Sequence, residues 1–262
     1  MNSGTDALIY RETLCLRSCD VNCYQQLRLS CLFTFLQEAA ISHTRKLGAG
    51  RDKTLDRGLL WVVTLQKVRI RRMPVYDEVL TLQSWPGEMM HLFFPRFWQI
   101  LDQEGRTLID ASSLWVLMDR NTRKTVFPEE HGIAIPGAAF PGQIPLPGRF
   151  RVPETLTGTE ESSFTVPFSV TDLNGHMNNT RYYDLAEDLL PDVLRKKALT
   201  EIETEYSGEA KYRETLRLRH GCEILRTAGR ILPEGPAEGH EKTAWYLSGE
   251  SDRPVFRMRL LF

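Results

Sequence analysis

Val170-Thr171-Asp172-Leu173-Asn174-Gly175-His176-Met177-Asn178-Asn179-Thr180-Arg181-Tyr182-Tyr183-Asp184-Leu185-Ala186-Glu187 reads as the end of a strand, a tight polar turn and the start of a helix. Asp172, Asn174 and His176 fall at i, i+2 and i+4. In an extended chain alternate side chains share a face, so this spacing predicts a carboxylate, an amide and an imidazole converging on one point. A helix opening at Asn178 and Asn179 adds free N–H groups suited to a developing negative charge. In outline this is a site for acyl transfer or hydrolysis. The alternative is purely local, because Asp and Asn also stabilise turns and helix starts without any chemistry.

The same programme appears earlier in the chain. Residues 7–17 read as a strand and 18–24 as a polar turn. Leu29, Leu32, Phe33, Leu36, Ala40 and Leu47 then recur at three- and four-residue steps, the mark of a buried helix that Gly48 and Gly50 stop. Strands follow at 59–72, 79–85, 91–101 and 107–119, punctuated by Pro86-Gly87 and Asp102-Gln103-Glu104-Gly105. After 127 prolines and glycines crowd the chain, which marks 128–160 as an irregular linker between a module at 1–127 and a second at 161–262. The second module predicts a strand at 163–170, a helix at 179–195, and strands at 202–220, 222–228, 243–249 and 255–262. Residue types match as well as order. Asp20-Val21-Asn22-Cys23-Tyr24 overlies Asp172-Leu173-Asn174-Gly175-His176, and Tyr76-Asp77-Glu78-Val79-Leu80-Thr81-Leu82 overlies Tyr212-Arg213-Glu214-Thr215-Leu216-Arg217-Leu218. The chain reads as an internal duplication of class α+β, each copy a helix embraced by a curved antiparallel sheet.

Composition narrows the function classes. With 42% hydrophobic and 26% charged residues and a formal net charge of -1, the 262-residue chain gives no sign of general affinity for nucleic acid or membrane surfaces. Residues 1–6 carry no apolar signal core, and the apolar runs fall far short of the ~20 residues that span a bilayer, so the expected location is cytoplasmic. Cys15, Cys19, Cys23 and Cys31 lack metal-ligand spacing, and they are expected to be reduced packing residues with no metal or cofactor bound.

Taken together these segments resemble the acyl-acyl carrier protein thioesterases of plants and bacteria, which are built from two tandem hot-dog modules. In the first half the resemblance runs through Leu36-Gln37-Glu38-Ala39-Ala40 with His43, Trp61-Val62, Pro74 to Val79 and Ser113 to Arg123. In the second half it includes Asp172, Asn174, His176, Asn178, Asn179 and Tyr182. It implies a catalytic glutamate in the segment Glu205-Tyr206-Ser207-Gly208-Glu209-Ala210, at Glu209. Ala210 stands where plant members often carry cysteine, which removes any cysteine nucleophile there, and Leu185 stands where they tend to carry tryptophan. In the first copy Tyr24 overlies the histidine and Met73 overlies Glu209, so one active site per chain is expected. Leu32, Phe33, Leu36 and Ala40 would then line the substrate pocket.

The resemblance implies hydrolysis of fatty acyl-acyl carrier protein, with Asp172 as general base or as nucleophile through a transient anhydride. His176 and Glu209 would orient water and manage the proton, Asn174 would fix Asp172 or the carbonyl, and the amides around Asn178 and Asn179 would bind the oxyanion. Lys67, Arg69, Arg71 and Arg72, or Lys211, Arg213, Arg217 and Arg219, would receive the acidic carrier protein. Homodimerisation is left open. Competing readings are an acyl-coenzyme A thioesterase, a silent acyl-binding protein and a hot-dog dehydratase.

Overall fold

Strand-forming runs and one strongly periodic helix dominate the computed structural model, which describes residues 8–137, 144–226 and 241–262. The chain divides into two compact units, Met1–Arg149 and Phe150–Phe262. No helix among the described residues is long and apolar enough to cross a membrane.

In the first unit β1 (Tyr10–Cys15), α1 (Leu29–Lys46), β2 (Leu59–Ile70), β3 (Val79–Pro86), β4 (Phe94–Leu101) and β5 (Thr107–Asp119) follow in sequence. The strands pair antiparallel in the order β1-β3-β4-β5-β2. The apolar stripe of α1, including Leu29, Leu32, Phe33, Leu36 and Ala40, is buried, and the helix lies against β3 and β1. Arg45 and Lys46 in its last turn complement the negative end of the helix dipole.

One polar cluster is sealed into this unit. Arg96 on β4 is 5% exposed and donates to His43 Nδ1 at 3.2 Å, Ser84 Oγ at 3.2 Å and Thr44 Oγ1 at 3.0 Å. Tyr10 stacks on His43 with ring centroids 5.8 Å apart. No carboxylate among the described residues pairs with Arg96, and burial alone lowers its guanidinium to about 9.

The second unit contains β6 (Thr157–Thr165), α2 (Tyr182–Leu189), α3 (Asp192–Arg195), β7 (Glu201–Tyr206), β8 (Thr215–Arg226), β9 (Glu241–Glu250) and β10 (Pro254–Leu261). Its antiparallel order is β7-β10-β9-β8-β6. The helix expected at 179–195 is shorter and interrupted. A 3-10 turn at Asn179–Arg181 leads into the eight residues of α2, and Leu190 is extended at φ -65 and ψ 127. The cause is Pro191, whose ring disfavours a helical conformation in the residue before it.

The strand expected at 202–220 is in fact two strands separated by a turn, and the expected break at Gly221 does not exist because β8 runs straight through it. A Cβ at Gly221 would lie 2.8 Å from Leu156 Cβ, so this glycine serves close packing and not chain reversal. The expected ends of the strands at 7 and at 227–228 lie outside the described residues.

The described residues of 128–160 pack on the units to which they belong. Pro128 opens a 3-10 turn, and Ile133 packs with Ala49, Leu59 and Leu117 in the first unit. In the second, Phe150 and Val152 pack on a cluster of Leu156, Ala244 and Tyr246, and β6 starts at Thr157. The division between units falls at Arg149 and Phe150, inside the stretch.

The hydrogen bonds show the duplication residue by residue and correct its register in one place. Leu27 N donates to Pro74 O at 2.9 Å and Met177 N to Ala210 O at 2.7 Å; Asp77 N donates to Leu16 O and Arg213 N to Val166 O, both at 3.0 Å. Asp77 and Arg213 both adopt positive φ, 65 and 67. This aligns Tyr76 with Tyr212 and Met73 with Glu209, as the sequence suggests.

The polar turns align differently. Asn22 N bonds Gln26 O as Asp172 N bonds His176 O, both at 2.8 Å, and Gln25 (φ 62) stands where Gly175 (φ 77) does. Asn22 therefore overlies Asp172, Tyr24 overlies Asn174, and Gln26, not Tyr24, overlies His176. The shared Asp-x-Asn lettering misleads because Asp and Asn are interchangeable as turn acceptors, so identity alone cannot fix which of them holds the turn.

Candidate active site

The turn between Thr171 and Met177, which form an isolated bridge, is closed by the Asp172 side chain. Asp172 Oδ1 accepts from Asn174 N at 2.7 Å and from His176 N at 3.4 Å, and Gly175 N donates to Asp172 O at 3.0 Å. Gly175 supplies the left-handed φ of 77 that the reversal needs at low cost. The segment is thus a turn and not an extended strand, and the expectation that alternation puts three side chains on one face is overturned. Its side chains are positioned by the turn. Only one Asp172 oxygen is engaged; its partner Oδ2 has no hydrogen bond among the described residues.

His176 joins a second segment. Its backbone bridges Lys211, and its Nε2 lies 3.5 Å from Glu209 Oε2. Both side chains are half-buried, and the structure therefore brings together the histidine of the turn and the glutamate of the following segment. Asn174 Oδ1 is buried with no hydrogen-bond partner among the described residues. Buried polar atoms are satisfied in the great majority of cases, so an orphan atom in this turn is a place for substrate or water.

The helix start is narrower as an anion site than the sequence implies. Asn178 Oδ1 caps it, accepting from Thr180 N at 2.9 Å and Thr180 Oγ1 at 3.0 Å. Asn178 N donates to Val170 O and Arg181 N to Asn178 O. Of the amides from 178 to 181, the Asn179 N–H alone has no acceptor among the described residues. Asn178→Ala is expected to cost about 1 kcal/mol of stability, the usual value of a lost cap, and Asn178→Asp to restore it in urea unfolding.

Three tyrosines that the sequence reading left out of the site support it from below. Tyr182, 3% exposed, packs on Tyr206 and Phe256 with centroids 5.8 Å and 4.6 Å away. Its hydroxyl takes a hydrogen bond from the Ala210 amide, and burial pushes its ionisation up, with the charges of Glu214 and Asp172 adding to the rise. The Tyr206 hydroxyl donates to Asn179 O at 3.0 Å and lies 3.3 Å from the Tyr183 hydroxyl, which in turn lies 2.9 Å from Thr204 Oγ1. The sequence signal was the doublet Tyr182-Tyr183, four residues beyond the cap.

The pocket residues proposed on α1 are all deeply buried: Leu32, Phe33, Leu36 and Ala40 are at most 6% exposed. In the first copy the corrected register puts Asn22, Tyr24, Gln26 and Met73 where Asp172, Asn174, His176 and Glu209 stand. Neither a carboxylate nor an imidazole occupies any of these four positions.

Known proteins match along the chain. The acyl-ACP thioesterase N-terminal domain matches residues 7–131, and the acyl-ACP thioesterase C-terminal domain matches residues 154–245. A chloroplastic palmitoyl-acyl carrier protein thioesterase of Cuphea hookeriana is 26% identical over 258 residues, 84% of this chain and 61% of its own. The protein of that name from Arabidopsis thaliana is 26% identical over 267 residues, covering 92% and 64%. The chain thus spans less than two thirds of the length of these curated relatives.

Among solved structures, an acyl-ACP thioesterase from Bacteroides thetaiotaomicron superposes with a TM-score of 0.81 at 22% identity, covering 98% of each chain. The 12:0-ACP thioesterase from Umbellularia californica gives 0.77 at 21%, covering 100% of this chain and 97% of that one. These likenesses fix the fold as the tandem hot-dog arrangement of α+β class. With both domain profiles matched in order, the chain belongs to the acyl-ACP thioesterase family.

Proposed function

We propose that the chain hydrolyses the thioester of fatty acyl-acyl carrier protein to free fatty acid and carrier thiol, in the cytoplasm and with no metal or cofactor. The observation that carries this reading is the approach of His176 and Glu209 to 3.5 Å beside the Asp172 turn, in the copy that has carboxylates and an imidazole at the matched positions.

A thioester carbonyl is electrophilic and its thiolate leaves readily, so the protein has mainly to activate water and hold the carbonyl. In this reading the unengaged oxygen of Asp172 takes a proton from water as water attacks the carbonyl carbon. The Asn179 amide and the Asn174 side-chain amide stabilise the oxyanion. Glu209 orients the His176 ring, through which the proton reaches the departing sulfur as the C–S bond breaks. Water and thioester then give acid and thiol in balance. The buried face of α1 at Leu32, Phe33, Leu36 and Ala40 is assigned to the acyl chain.

The test is incubation of the purified protein with acyl chains of several lengths on carrier protein and on coenzyme A, following free thiol and fatty acid together. Equal release of both products from carrier-linked chains is expected. Absence of thiol release, or an unsaturated product without free acid, would refute the reading.

A further inference from the structure

Around the Asp172–His176 turn the second unit leaves large apolar side chains in solvent: Phe168 is 75% exposed, Leu173 74% and Tyr212 45%. Phe168 and Tyr212 meet edge to face with centroids 5.8 Å apart, and the Arg213 guanidinium lies 5.0 Å from the Tyr212 ring centre. Lys211 adds a second exposed cation. Single exposed hydrophobes are ordinary, but an aromatic group rimmed by free cations is the composition of a docking surface.

Four of the other basic residues that the sequence offers for this role are already committed. Arg71 pairs with Asp110 at 2.5 Å, Arg72 with Glu78, and Arg217 with Glu250 at 2.8 Å, while Arg219 donates to Glu154 O at 2.6 Å. Lys211 and Arg213 have no carboxylate partner among the described residues. Glu214, the acid in their own turn, accepts from the Lys211 backbone N–H at 2.9 Å and is further engaged by Ser251 and Arg253.

The first copy provides an internal comparison. It builds the same turn from Val75, Tyr76 and Asp77, with Ser18 and Cys23 where the second copy has Phe168 and Leu173. Asp is a favoured residue at positive φ and Arg is not, yet the second copy places Arg213 there at φ 67. The fold therefore does not ask for a cation at this position.

We propose that Phe168, Leu173, Lys211, Tyr212 and Arg213 form the docking surface for the acidic carrier protein that delivers the acyl thioester, an inference that rests on the hydrolase reading above. Acidic side chains of the carrier lie on Lys211 and Arg213, and an apolar one lies against Phe168 and Leu173. The Asp172 turn is then next to the tethered thioester.

The test replaces the corner with its counterpart in the first copy, Lys211→Val with Arg213→Asp, substitutions that the turn geometry already accommodates. On carrier-linked substrate kcat/KM should fall about tenfold or more, mainly through KM, and the wild-type advantage should shrink at high salt. The same acyl chain on N-acetylcysteamine should turn over at the wild-type rate. Phe168→Ser should act in the same direction. Carrier-linked kcat/KM within about twofold of wild type, or an equal loss on both substrates, would overturn the proposal.

Titration with the free thiol form of the carrier reads the surface without chemistry. An unchanged Kd in the double variant overturns docking here while sparing the hydrolase reading. A wild-type protein that binds the carrier through these residues but cleaves neither substrate does the reverse.

Discussion

Asp172→Asn is expected to lower kcat for thioester hydrolysis by about 10²–10⁴-fold, the usual loss for a general base, while leaving thermal stability close to that of wild type. The first copy is the reason for expecting so clean a separation. There Asn22 Oδ1 accepts from Tyr24 N at 3.0 Å and from Gln26 N at 3.1 Å, as Asp172 Oδ1 accepts from Asn174 N and His176 N. An asparagine thus already closes this turn elsewhere in the same chain, and the substitution removes the charge and basicity of the second oxygen without removing the acceptor that holds the backbone. Asp172→Ala lacks that protection and would confuse lost chemistry with a loosened turn. His176→Ala should fall in the same range, and Glu209→Gln should lose less because it keeps the shape of the orienting group. Thiol release and unfolding measured on the same preparations decide the matter. Activity of Asp172→Asn within about twofold of wild type would remove Asp172 from the mechanism.

The second large effect is a loss of stability in acid traced to His43. Burial, with the positive charges of Arg96 and Lys46, pushes its imidazole down to about 4. In the unfolded chain the same group titrates near 6.5. Below about pH 6.5 the unfolded state takes up a proton that the folded state refuses, so stability present above that pH declines as the pH falls toward 4. The two values imply a loss of about 2–3 kcal/mol between pH 7 and pH 4.5.

The structural cause is specific. A proton on Nδ1 would destroy the acceptor that Arg96 uses at 3.2 Å and would set two cations side by side with no carboxylate to share. His43→Gln, whose amide oxygen can replace Nδ1 as acceptor, should flatten this part of the profile. Urea unfolding of both proteins at pH 7 and pH 4.5 makes the comparison, in which the titrating carboxylates common to both cancel. Parallel losses in the two proteins would show that His43 is not the sensor.

Those two residues also mark what was legible in the sequence. His43 carries the helical period of α1, but nothing local to it announces Arg96, which arrives from a strand far along the chain. Buried polar partnerships of this kind are tertiary facts. The order of elements and the duplication were readable because periodicity and turn chemistry repeat, and the match of Tyr76 with Tyr212 was correct for that reason. The polar turn was harder. The spacing of Asp172, Asn174 and His176 fits an extended strand as well as a turn, and the deciding features were Gly175 and the hydrogen bonds to Asp172 Oδ1. The long second helix expected at 179–195 ends before Pro191, whose ring holds Leu190 in an extended conformation. Glu209 came from resemblance alone; its approach to His176 gives it a geometric basis.

The capped turn has a consequence for how the site would work. A free aspartate samples several rotamers, and each would have to be abandoned when water is bound. Two backbone N–H groups on Oδ1 fix that side chain before any substrate arrives. Its loss of rotational freedom is absorbed once, when the protein folds, and is not repeated with every turnover. The same hydrogen bonds that shape the chain also fix the orientation of the carboxylate, so in the proposed mechanism its open oxygen would meet each incoming water molecule already aligned.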